Sequence, residues 1–95
     1  MTAGEASAGR LQAALEREDQ LRRRLNDLLV EQRRALAEQT RFEQRARLEG
    51  ADPRVAVAAS AEARRAAELN AAVDAARAEL RAQEGLVAQL RTERG

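Results

Sequence analysis

Gly50-Ala51-Asp52-Pro53, at the middle of a 95-residue chain, constrains the fold more than any other stretch. Gly50 can take the left-handed conformation that ends a helix. Asp52 can cap a following helix, and Pro53 suits a first turn, where no backbone N–H is needed. On each side lie about forty residues of helix-forming sequence. The expected fold class is therefore all-α, an antiparallel two-helix coiled-coil hairpin. One domain spans 1–95, with helix one over about 7–49, the turn at 50–52 and helix two over about 53–94. At 1.5 Å per residue each helix is on the order of 60 Å long.

Some ends stay open. Thr2 with Glu5 is a possible capping box, opposed by the helix-weakening Gly4 and Gly9. Residues 55–59 can also be read as a loop, with Ser60 capping a shorter second helix. Asp52-Pro53 is the stronger start.

Both halves carry a heptad seam. In the first, Leu11, Ala14, Glu18, Leu21, Leu25, Leu28, Gln32, Ala35, Gln39, Phe42 and Ala46 alternate steps of three and four. In the second, Val55, Ala59, Glu62, Ala66, Leu69, Val73, Ala76, Leu80, Gln83, Val87 and Leu90 do the same in the opposite phase. Folding the chain at Gly50 pairs Leu11 with Leu90, Ala14 with Val87, Leu21 with Leu80, Leu28 with Val73, Ala35 with Ala66 and Phe42 with Ala59. Every a position then meets a d position. Glu18 falls opposite Gln83, and Gln39 opposite Glu62. A slip of one heptad sets Leu25 against Gln83 and Ala46 against Glu62, and unpartnered buried polar groups are costly. Gln32 opposite Leu69 is the one mismatched layer, and the Gln tip is expected to reach water. Gly85 falls at an outward position.

A lone hairpin buries a narrow stripe, and small thin cores usually need help. This chain has apolar residues beside the seam. Leu15, Leu29 and Leu36 occupy e positions and Leu86 a g position. A two-stranded seam does not require them, whereas a wider apolar face is typical of bundle helices. These four leucines form the expected association face. Two hairpins sharing it would make a homodimeric four-helix bundle. Another protein docking there, or the stems of Arg77 and other long side chains covering the leucines, are the alternatives.

Composition removes most chemistry. The chain has no Cys, His, Trp, Tyr or Lys, and Phe42 is its only aromatic residue. Without His or Cys the usual bases, nucleophiles and soft metal ligands are missing. The acids Glu16, Glu18 and Asp19 alternate with Arg, and no base stands beside Ser7, Thr40, Ser60 or Thr92. No enzyme activity, cofactor, metal or small-molecule substrate is expected. Nor is membrane insertion, since no apolar run approaches the roughly 20 residues a span needs. Residues 1–10 lack the apolar stretch of a signal peptide, so the expected location is cytoplasmic, with signal-less export left open.

All 17 basic residues are Arg, against 16 acids, for a net charge of +1. Arg22-Arg23-Arg24, Arg33-Arg34 and Arg64-Arg65 invite a nucleic-acid reading. Neighbours on a helix point about 100° apart, so such runs make no single patch. Acids at helical spacing offset them in Glu18–Arg22, Asp19–Arg23, Glu43–Arg47 and Arg64–Glu68. With no aromatic stacking platform, nucleic-acid binding is the weaker alternative.

The stretch 28–39, Leu-Leu-Val-Glu-Gln-Arg-Arg-Ala-Leu-Ala-Glu-Gln, resembles the stalk proteins of flagellar and type III secretion export. Those are antiparallel helical hairpins rich in Arg, Gln, Glu and Ala. That resemblance implies contact with an export ATPase or escort chaperones. The length and central turn also look like the helical hairpins secreted by type VII systems, but their Trp-x-Gly turn and C-terminal Tyr signal are absent. The expected role is a structural or adaptor module acting through protein contacts with itself and with another protein. A secretion stalk or chaperone-like hairpin is the first alternative.

Overall fold

The computed structural model describes residues 3–48 and 52–94. Gly50, with its neighbours Glu49 and Ala51, and Thr2 of the possible capping box lie outside the described residues. Every described residue except Asp52 is α-helical. Helix α1 runs Ala3–Leu48 and helix α2 runs Pro53–Arg94, 46 and 42 residues long. The two helices pack against each other. Their Ala, Leu, Arg, Glu and Gln are among the best helix formers, so each element is favoured locally before any packing.

The start of α2 shows its cause at atomic level. The Asp52 carboxylate accepts the Arg54 backbone N–H at 2.9 Å, and the Asp52 carbonyl accepts the Ala56 N–H at 3.1 Å. Pro53 is the first helical residue, where its missing N–H costs nothing. The helix continues through 55–59, so the loop alternative is not what forms, and Val55 is buried.

Helix α1 begins at Ala3, earlier than the expected start near Ser7. It passes through Gly4 and Gly9, which should each cost about 1 kcal/mol relative to Ala. Glu5 in the first turn faces the positive end of the helix dipole and offsets part of that cost.

The chain divides into two compact units, one of Met1–Asn26 with Ala75–Gly95, the other Asp27–Asp74. In the first, Leu11, Ala14 and Val87 form a buried cluster, with Leu15 and Leu90 packed on it. Leu21, Ala76 and Glu18 are also buried there, while Leu25 and Leu80 are half-buried. In the second unit Ala35, Ala66 and Leu69 form the cluster, with Leu28 against it. Val55 and Val73 are buried, and Phe42 is half-buried with the Arg45 guanidinium 6.0 Å from its ring centre. Alanine at 14, 35, 66 and 76 removes little apolar area from water, so each core is thin.

The polar seam positions find partners other than the facing residues that the heptads suggest. Glu18 is held by Arg22 of its own helix at 2.6 Å, a charge-assisted contact stronger than one from a neutral amide. Gln83 instead donates its amide to the Ala14 carbonyl at 3.0 Å. A helix carbonyl keeps a second lone pair for such a donor, and the small Ala14 leaves it approachable. Gln39 donates to Glu43 one turn on, at 3.1 Å. Gln32, the mismatched position, reaches Asn70 across the helix pair at 2.6 Å, beside the buried Leu69. Among the described residues no buried side-chain polar atom lacks a partner.

Gly85 sits within α2, and a Cβ there would meet nothing within 4 Å. Gly85→Ala should therefore stabilise the protein by about 1 kcal/mol, from helix propensity alone. A thermal melt followed by circular dichroism checks this, and an unchanged or lowered midpoint would refute it.

Candidate functional site

What the helices leave uncovered defines the candidate site. In the unit of 1–26 and 75–95, Leu86 is 43% exposed. It stands in an open groove of about 420 Å³ between α1 and α2. Ala13 and Ala14 supply the small side chains on α1, and Leu86 and Leu90 the apolar ones on α2. Gln83, Arg10 and Arg17 complete the lining. Arg10 and Arg17 are two turns apart on one face of α1, because seven residues bring a helix almost back to the same direction. Their guanidiniums give an apolar groove a basic edge. Arg17 approaches Glu79 of α2 at 3.8 Å, with both side chains more than half exposed. Such a contact contributes little to stability.

Leu15, in the same unit, is not on that groove. It packs on Leu11, Ala14 and Val87 and is half-buried. Arg22, two turns beyond Leu15, reaches Glu84 at 3.9 Å, so this is the other flank of the helix pair. Leu15 and Leu86 therefore lie on opposite flanks of their unit, not on one continuous face. The difference goes with helical phase, since e and g positions lie on opposite sides of a helix's a/d stripe.

In the unit of 27–74, Leu29 is half-buried and Leu36 is 45% exposed. Leu48 at 86% and Val57 at 70% exposure, with Val30 at 46%, are large apolar side chains that the heptad reading passed over. They occupy outward c and f positions of the heptads, where residue type and not spacing is the signal. Ala56, Val57, Ser60, Ala61 and Arg64 line a second, shallow recess on α2.

The arginine runs are drawn apart, as helical geometry requires. Arg22 faces Glu18 and Glu84, while Arg23 meets Asp19 at 2.6 Å. Arg41 is held by Glu38 at 2.9 Å. Among the described residues no group of acidic, His or Cys side chains could hold a metal ion. No helix among them is long and apolar enough to cross a membrane.

No family model matches this chain, and neither does any curated protein or solved structure.

Proposed function

We propose that this protein is a non-enzymatic coiled-coil interaction module, structural or adaptor in role, that associates with itself and presents a surface to another protein. The observation that carries this reading is the contrast between a thin, alanine-rich core and the large apolar side chains left outside it. Leu36, Leu86, Leu48 and Val57 face solvent while alanine fills buried positions. Burying side chains of this kind, against a second copy or against another protein, recovers apolar area that two helices alone cannot cover.

The antiparallel coiled coil is the finer form of this reading. The presence of Leu11 with Val87 and Leu90 in one cluster, and of Ala35 with Ala66 in the other, supports it. A dimer of two such hairpins is a four-helix bundle. The engagement of Arg22, Arg23 and Arg41 by neighbouring acids supports protein contacts over nucleic acid.

Light scattering over a concentration series, with far-UV circular dichroism on the same samples, tests the proposal. The expected result is a strongly helical species of about twice the 10.4 kDa chain mass. A helical monomer at every concentration would remove the self-association part and leave only the partner-binding part.

A further inference from the structure

We propose that the second copy docks on the Arg10/Arg17 flank of the 1–26/75–95 unit, with Leu86 at its centre and a two-fold axis running along the helices. This rests on the self-association reading above and names its surface and symmetry. This flank carries an open apolar groove. The opposite flank already has Leu15 packed against the core and Arg22 reaching Glu84.

Charge selects the geometry. On this flank α1 presents Arg10 and Arg17, and two turns further Arg24; all three are exposed. On the same flank α2 presents Glu79, beside Arg17, and Glu93, two turns beyond Leu86; both are exposed. One helix thus offers a basic edge and the other an acidic one, with Leu86 between the two acids. Leu11, Ala14, Val87 and Leu90 share one cluster, with Arg17 near Glu79 and Arg22 near Glu84, which sets the relative heights to within about a turn. Glu93 lies within a turn of the level of Arg10, Glu79 lies between the levels of Arg17 and Arg24, and Leu86 lies within a turn of Ala13 and Ala14.

Two closed arrangements can lay this flank on its copy. A two-fold axis across the helices sets α1 on α1 and opposes Arg to Arg. A two-fold axis along the helices sets α1 of one copy on α2 of the other at the same height. Glu93 then meets the partner's Arg10, Glu79 meets the partner's Arg17 and the partner's Arg24, and Leu86 packs on the partner's Ala13. Every neighbouring pair of helices is antiparallel. Opposite charges fix this arrangement, and like charges reject the other.

The test uses the full chain in sedimentation equilibrium, with circular dichroism confirming helicity. Leu86→Glu changes an exposed side chain and should leave the helices intact, but weaken dimerisation at least about tenfold. Leu29→Glu with Leu36→Glu should leave the dimer in place. Arg10→Glu with Arg17→Glu should weaken it, and Glu79→Arg with Glu93→Arg should do the same. Mixing these two charge-reversed chains should restore a dimer, because each basic edge again meets an acidic one. A dimer that survives Leu86→Glu but dissolves in the Leu29/Leu36 variant would overturn the docking site. Either charge reversal alone leaving the dimer at wild-type strength would overturn the symmetry, since α1 laid on α1 would only exchange one like-charge contact for another, and failure of the mixed chains to recover would overturn the charged edges as the docking contact. A wild-type chain that stays monomeric would instead remove the self-association reading beneath both.

Discussion

Val73→Asp should abolish the cooperative thermal transition and most of the helicity at room temperature. Val73 is 1% exposed and is the largest fully buried side chain among the described residues. The seam residues around it are apolar, Leu28 as the expected opposite and Leu69 and Ala76 on its own helix, and the cation at i+4, Arg77, is exposed, so a carboxylate at the 1% exposed position 73 must leave the seam to reach it. Burying an unpaired charge costs several kcal/mol even after relaxation. A small domain has about 5–15 kcal/mol of stability in total, and a thin alanine-rich core belongs at the low end of that range. Ala71→Asp, at an exposed position of the same helix, is the control and should cost only the propensity difference of about 0.7 kcal/mol. A Val73→Asp protein that melts within a few degrees of the wild type would show that this seam opens to water.

The second large effect concerns the opposite error, too much side chain. Ala35 and Ala66 are each buried and belong to one cluster, so the helix backbones approach closely there. Ala66→Leu forces three more carbons and their rotamers into that layer. Overpacking of this kind typically costs about 1–3 kcal/mol. For a chain of this size that lowers the melting midpoint by roughly 4–8 °C per kcal/mol. Ala67→Leu, one residue along and exposed, should change stability by no more than about 0.5 kcal/mol. If Ala66→Leu instead raised the midpoint, the layer would have room to spare, and the close approach would be wrong.

Both results turn on side chains that the sequence places on a seam but does not rank. The 4-3 spacing gives Leu25 and Leu21 the same standing, yet Leu21 is buried and Leu25 half-buried. Periodicity reports direction around a helix axis. Burial also depends on how near the other helix comes at that level, which is set by neighbouring side chains on both helices. The association face shows the same limit. Four leucines next to a seam look alike in a heptad count, but Leu15 turns into the core cluster while Leu86 stays in an open groove. Their e and g positions differ in hand, and that difference becomes visible only when the second helix is in place.

The polar layers separate the two kinds of information most sharply. Pairing Glu18 with Gln83 and Gln39 with Glu62 treats a polar residue as satisfied by whatever lies opposite. The side chains are long enough to choose otherwise, and Glu18 takes Arg22, Gln83 takes a backbone carbonyl, and Gln39 takes Glu43. Gln32 had no polar residue opposite it, and Asn70, one residue from the facing position, supplies the acceptor.

The sequence by itself determined the two helices and where the second begins. Helix propensity, the Asp52 cap and the fixed φ of Pro53 act over a few residues and need no tertiary contact. It also determined which residues head toward a seam, because helical phase is a property of spacing alone. The tertiary structure alone decided which leucines remain outside, which partner each polar seam residue takes, and on which flank a groove opens. Those outcomes depend on distances between two helices, and distances of that kind are set by the sizes of side chains far apart in the chain.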